Sequence, residues 1–373
     1  MTGRTVMQGS PASNGFRMPA EWEPHAATWI AWPHNRRDWP GKIAPVQWVY
    51  GEIARKVTPG ENLRVLVNTP VHEKQARRIL IRVGVDPESV EFFHIPSNRG
   101  WTRDTGPIHL RREQPLPELA IAGFAFNAWA KYPDWDLDRR IPGRVAAATG
   151  RALLPVTFRG KPVVLEGGSI DVNGRGSLVT TEECLLDGNV QARNPGLGRE
   201  DLGVIMADNL GAPNVLWLGK GIAGDDTHGH VDDICRFVDP ATLVLCRESD
   251  PEDANYRVME ENRERAEGFR LEDGGRAALA FIPMPAPLRL QGQRLPASYA
   301  NFYVTNTSVL VPTFNDPNDR IALGVLADLF PGREVVGIHA VDLVWGLGAL
   351  HCLTQQEPAI EPPASVRADS AFL

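Results

Sequence analysis

Short runs of apolar and β-branched residues recur along the chain. They alternate with stretches whose apolar positions fall three or four residues apart. The extended runs lie at 62–68 (NLRVLVN), 90–95, 176–181, 214–218, 242–246, 307–312 and 333–338. The helical spacing occurs at 46–57, 72–83, 255–268 and 318–330. A chain that switches repeatedly between these two periods predicts an α/β fold. The 35 Gly and 31 Pro residues punctuate the connections. Several units share a strand–helix–strand rhythm, but no repeat of fixed period and no linker divides them.

Composition narrows the function classes. The chain has 373 residues, 43% hydrophobic and 23% charged, with a formal net charge of -7. That is enough chain for a large core. It shows no basic patch for nucleic acid and no apolar run of the roughly 20 residues that would span a membrane. The segment MTGRTVMQGSPASNGFRMP has no apolar signal-peptide core. Residues 1–17 are therefore expected to be a disordered arm, and the protein is expected in the cytoplasm. The four cysteines, Cys184, Cys235, Cys246 and Cys352, form no C-x-x-C pair, which points to free thiols.

Four segments carry more polar residues than strand ends require. NRGWTRDTGPI (98–108) holds Arg103 and Asp104, and reads alone as a capped turn. VVLEGGSIDV (163–172) sets Glu166 among buried-looking neighbours, where a carboxylate needs a partner. GDDTHGHVDD (224–233) packs four acids and two histidines into ten residues. On a strand His228, His230 and Asp232 would share one face, which invites a metal reading; a catalytic base with supporting acids and a solvated loop stay open beside it. WGLGALHCLTQQEP (345–358) places Cys352 among groups that a core strand rarely carries, whereas the other three cysteines lie in apolar runs and read as core. One thiol, one candidate base and three isolated acids form an inventory for nucleophilic catalysis on a cationic electrophile.

The ordered combination of MPAEWEPHAATWIAWP (18–33), WTRDTGP (101–107), FNAWAKYP (126–133), LEGGSIDVNGRGSLVTTEECLL (165–186), GDDTHGHVDD, LPASYANFYVTN (295–306), VPTFNDPNDR (311–320) and ALHCLTQQ (349–356) resembles the agmatine deiminase / bacterial peptidyl-arginine deiminase family of the guanidino-modifying pentein superfamily. The resemblance implies a five-bladed α/β propeller with pseudo-fivefold symmetry and a central active-site channel. It also implies a single catalytic domain, 18–360, followed by a tail at 361–373.

The resemblance further implies Cys352 as nucleophile, His230 as general acid and base, Asp104 and Asp232 as the carboxylates that grip a guanidinium, and Glu166 as an acid lining the site. Trp101, of the same motif as Asp104, is expected to bind substrate. No cofactor and no metal are expected, and the implied partner is a small cationic guanidine. A homo-oligomer is compatible with the sequence. The expected reaction converts agmatine to N-carbamoylputrescine and ammonia through a Cys-bound thiouronium. The alternatives are deimination of free or peptidyl arginine, and a metal-dependent ureohydrolase using His228, His230 and Asp232. Asp226 is the candidate partner of agmatine's distal ammonium, at an end of the site expected to hold nothing cationic. Asp233, beside Asp232, is expected to face away from the pocket. Two departures from the family pattern bear on substrate choice: Leu347 stands in a Gly-rich approach to the cysteine, and His228 stands where relatives carry other residues.

Overall fold

A computed structural model describes residues 8–360. Five mixed sheets share one pattern among these residues. In each, a strand pairs antiparallel with its neighbour in the sheet, and that neighbour pairs in parallel with a further strand. The central and parallel strands are Glu118–Gly123 with Ala152–Pro155, Ser177–Thr181 with Asn214–Leu218, Thr242–Arg247 with Ala278–Pro283, Ser308–Thr313 with Glu334–His339, and His25–Ala31 with Asn62–Leu66. The antiparallel partners are Ile108–Arg112, Asp171–Val172, Cys235–Phe237, Tyr303–Val304 and, from the far end of the chain, Thr354–Pro358. Val90–Phe93 extends the last of these sheets.

Each parallel connection contains a helix, because parallel neighbours need a long crossover. The helices are Ile43–Val57, Ile141–Thr149, Arg199–Leu210, Tyr256–Glu267 and Asn318–Leu329. Helix Ile43–Val57 shows why such segments dock: Val46, Tyr50, Ile53, Ala54 and Val57 fall on one stripe and are buried. Helix Pro70–Arg82 begins where the Thr69 side chain accepts from the His72 amide at 3.2 Å and Pro70 takes the first turn, where no N–H is missed. Central strands such as Thr242–Arg247 bury consecutive residues, Leu243 to Cys246, which is why they read as continuous apolar runs.

Residues 8–17 depart from the expected disordered arm. Phe16 is buried, and the Arg17 amide bonds Arg111 O at 3.0 Å while its guanidinium meets Glu23 at 2.5 Å. An aromatic side chain and a bidentate ion pair suffice to lay this stretch on the body. Residues 1–7 and the tail at 361–373 lie outside the described residues.

Candidate active site

Five segments converge, each immediately before the outer antiparallel strand of its sheet: Trp101–Asp104, Glu166–Gly168, His230–Asp233, Asn301 and Cys352. Two of them, Trp101–Asp104 and Cys352, line a cavity of about 470 Å³. Trp101, Asp104, Trp129, Asp226, Leu347 and Cys352 line it.

Local chemistry fixes each segment. Thr102–Thr105 makes one helical turn, closed by Thr105 Oγ1 on Trp101 O at 3.0 Å and tied to the thiol segment by Arg103 N on Cys352 O at 3.0 Å. The loop before His230 is organised by Asp225, which accepts from the amides of Thr227, Gly229 and His230 at 2.7, 2.6 and 3.1 Å. Val231–Asp233 is a 3-10 turn, not a strand.

That turn overturns the expectation that Asp233 faces away from the pocket, and the loop before it removes the geometry behind the metal alternative. His228 has φ 65° and turns to Asp187 at 2.9 Å, so it does not join His230 and Asp232 in a ligand triad. Asp233 points inward: donor atoms of Asp232, Asp233 and Cys352 all lie within 4.8 Å of one another. Asp232 and Asp233 share a side because a 3-10 turn places successive residues about 120° apart rather than opposite.

The geometry of the cluster is clearest from Gly168. A Cβ there would stand 2.5 Å from His230 Nδ1, 3.0 Å from Asp104 Oδ1 and 3.1 Å from Asp232 Oδ2. Three ionisable groups from two segments therefore face one backbone position that only glycine can occupy. Asp104 accepts from Trp129 Nε1 at 2.9 Å and from the Gly168 amide at 3.0 Å. Asp232 Oδ2 meets His351 Nδ1 at 2.7 Å, while its Oδ1 is buried with no partner among the described residues. His230 Nε2 is likewise unpartnered, 3.7 Å from Glu166 Oε2. Glu166 sits behind His230 and pairs with Arg193 at 3.2 Å, both side chains being fully buried.

The electrostatics follow from this packing. Burial opposes a charge on His230, but Asp104, Cys184 and Glu166 outweigh it and raise its pKa well above the ordinary value. Burial would raise Glu166, and the Arg193 guanidinium overcomes that to bring it down to about 2. Burial pushes the Cys352 thiol well above its ordinary range, and Asp232, Asp233 and Asp104 push the same way. Two donor groups could in principle present three atoms to a metal, Glu166/Cys184/His230 and Asp232/Asp233/Cys352. In the first Glu166 already balances Arg193, and in the second His351 and Asn301 already occupy the acids.

The far end of the cavity differs from expectation. Asp226 lines it, but Lys131 Nζ and Tyr132 OH each take one of its oxygens at 2.6 Å. A cation therefore does stand there. Arg37 and Arg99 also line this end, Arg99 being held by Asp38 and, at 3.1 Å, by Asp134.

Several side chains with evident parts in the site carried no singled-out role in the sequence: Trp129, Cys184, Arg193, His351 and Asn301. Cys184 read as core, yet its sulfur lies within 4.8 Å of donor atoms of Glu166 and His230. Trp129, Cys184, Asn301 and His351 fall inside segments that carry the family resemblance, which is the signal that could have found them.

The family profile of Porphyromonas-type peptidyl-arginine deiminases matches residues 17–358. The agmatine deiminase of Pseudomonas syringae pv. syringae (strain B728a) is 35% identical over 379 residues, covering 95% of this chain and 99% of that protein. The solved agmatine deiminase of Enterococcus faecalis superposes with a TM-score of 0.86 at 29% identity, covering 96% of this chain and 100% of the other. An agmatine deiminase of C. jejuni with substrate bound superposes with a TM-score of 0.81 at 26% identity, over 96% and 99% of the two chains.

Proposed function

The chain belongs to the Porphyromonas-type peptidyl-arginine deiminase family, and from that premise we propose that it hydrolyses agmatine to N-carbamoylputrescine and ammonia through a thiouronium on Cys352. The observation that carries this reading is the meeting of His230, Asp104 and Asp232 around Gly168, beside a cavity that Asp104 and Cys352 line.

A guanidinium is planar, permanently charged and rich in fixed donors. Asp104 and Asp232 grip it by charge-assisted bonds, Asp232 through its unpartnered Oδ1. Its positive charge offsets the three carboxylates that hold the Cys352 thiol up, so substrate binding itself favours the thiolate. Sulfur attacks the guanidinium carbon. His230, held protonated by its acidic neighbours, gives its proton to the departing amino group, and ammonia leaves. Neutral His230 then takes a proton from water as the oxygen adds to the thiouronium carbon. The C–S bond breaks with its electrons on sulfur, the ureido product leaves, and the product's extra proton passes to solvent. The steps balance without an oxidant. Glu166 supports the imidazolium from behind while Arg193 keeps it ionised.

The five sheets read as the blades of a five-bladed α/β propeller around a pseudo-fivefold axis, within one catalytic domain. Their common pairing pattern and the equivalent placement of the five site segments support this. No described helix is long and apolar enough to cross a membrane. A cytoplasmic setting agrees with four free cysteines.

A second reading, deimination of free or peptidyl arginine, is favoured by one observation. Arg37 lines the cavity and forms no ion pair among the described residues, so it is available to a carboxylate. Assay of the purified protein with agmatine, arginine and a peptidyl-arginine, scoring ureido product and ammonia, decides between them. Agmatine should give the highest kcat/KM. A higher value for either arginine substrate would reverse the order, and no ureido product from any of the three would sink the deiminase reading.

A further inference from the structure

We propose that Asn301 is a catalytic residue, whose side-chain amide donates a hydrogen bond to the attacking sulfur and steadies the thiolate both as nucleophile and as leaving group. The inference rests on the reading that Cys352 is the nucleophile.

Asn301 is fully buried, two residues before the short strand Tyr303–Val304. Its Nδ2 is 3.1 Å from Cys352 Sγ and 2.9 Å from Asp233 Oδ1. An amide nitrogen carries two hydrogens, so one can go to each. Its Oδ1 accepts from the His351 amide at 2.9 Å and the Cys352 amide at 3.4 Å. A single side chain thus holds the backbone of the nucleophile with its oxygen and addresses the sulfur with its nitrogen.

The surroundings make that donor matter. The nearest acid, Asp232 Oδ2, lies 3.8 Å from the sulfur and can only accept from the thiol. Asp233 and Asp104 add further negative charge. Among the described residues Asn301 is the one side chain that donates to the sulfur. The guanidinium bound between Asp104 and Asp232 offsets the carboxylates while it is present. When the C–S bond breaks and charge returns to sulfur, a fixed donor such as Asn301 remains in place at no cost in reorganisation. Among the described residues Asn301 forms no hydrogen bond with Asp104, His230 or Asp232, so its contribution belongs to the sulfur and not to the grip on substrate.

The test separates the nitrogen from the oxygen. Asn301→Ala removes both. Asn301→Asp keeps an acceptor for the two amides and removes the nitrogen donor, which guards against mere loss of the loop; because it also sets a carboxylate beside Asp233, the shift of the alkylation curve is judged on the Ala variant. Two quantities are read in each: the pH dependence of Cys352 alkylation by iodoacetamide without substrate, with Cys352→Ala as background, and kcat and KM for agmatine. In both variants the alkylation curve should move to higher pH, and kcat should fall by about tenfold to a thousandfold, the scale for losing one preorganised donor to a developing anion. KM should stay within about threefold. An unmoved alkylation curve, or wild-type kcat in the folded Asp variant, would overturn the assignment. If Cys352→Ala kept full turnover, the thiouronium reading would fall and Asn301's catalytic part with it. An unmoved alkylation curve in an enzyme that depends on Cys352 would remove Asn301 alone.

Discussion

The two ends of the cavity are built on different principles. At the guanidine end Cys352, His230, Asp104 and Asp232 are all buried and sit next to strands, and the three acid–base groups face one glycine. At the tail end Asp226, Lys131, Tyr132, Arg99 and Asp38 hold one another across loops, with Lys131 and Asp226 part-exposed. The first end is determined several times over, so a change there is costly and specific. The second is a network of compensated charges, in which one substitution shifts the balance without abolishing the site.

The sharpest break in that contrast is Cys352→Ala. It should lower kcat by about 10⁴-fold or more, since the covalent step has no substitute. Cys235→Ala and Cys246→Ala, buried in sheet strands, should retain turnover to within about threefold once folded. Product formation in a single-turnover assay of each purified variant checks this. Near-normal turnover by Cys352→Ala would break the covalent mechanism.

Next in size are Asp104→Asn and Asp232→Asn. Each should cost about 2–5 kcal/mol in kcat/KM, the scale for removing one partner from a desolvated charge pair. A loss below tenfold in both would show that the guanidinium is held elsewhere.

At the tail end smaller and opposite effects are expected. Asp226→Asn leaves Lys131 uncompensated beside a cationic tail, and should raise KM for agmatine by about five- to a hundredfold, the effect of about 1–3 kcal/mol. Lys131→Ala frees Asp226 and should lower that KM by about two- to fivefold, the worth of a part-exposed pair. A neutral-tailed alkylguanidine should respond little to either. Shifts of the same sign in both variants, or equal shifts for the two substrates, would remove this pair from substrate recognition.

The same contrast explains what the sequence disclosed. The central strands were legible because burial on both faces leaves unbroken apolar runs, as in Leu243 to Cys246 of Thr242–Arg247. The outer strands Asp171–Val172, Cys235–Phe237 and Tyr303–Val304 were not, being two or three residues long with no period to read. Cys352, His230, Asp104 and Asp232 stood out because they lie in polar clusters that match the family's ordered motifs. Asn301 and Arg193 did not, since their meaning lies in contacts with residues 51 and 27 positions away. Strand alternation failed at Val231–Asp233 because nothing local distinguishes a 3-10 turn from a short strand there. The loop holding Trp129 was equally opaque: Ala128, Trp129 and Ala130 all have positive φ, which no glycine announces. Such strain is held in place by tertiary bonds, here Trp129 Nε1 to Asp104 and Gln191 Nε2 to Trp129 O at 3.1 Å.

Leu347 brings the two ends together and carries the smallest expected effect. It lines the cavity with φ 70°, a left-handed conformation that a leucine adopts at a cost of about 1–2 kcal/mol. Its neighbours explain why the side chain is here. A Cβ at Gly346 would strike the Trp39 indole, and one at Gly348 would come within 2.8 Å of the Trp101 ring and 3.2 Å of Cys352 Cβ. Position 347 is thus the place in this Gly-x-Gly where a side chain fits, and the leucine packs against the main core. Leu347→Gly relieves the strain but loses that packing and loosens the unfolded chain, so stability should change by no more than about 1 kcal/mol. Leu347→Ala keeps the strain and loses the packing, and should be the less stable of the two by about 1 kcal/mol. In both variants the apolar wall recedes. The kcat/KM for agmatine should fall by less than about tenfold, the worth of a partial apolar contact, while bulkier guanidines gain relative to it. Thermal melts with kcat/KM for agmatine and arginine measure both parts. A glycine variant less stable than the alanine variant would deny the strain, and an unchanged arginine-to-agmatine ratio in both would deny that Leu347 shapes the choice of substrate.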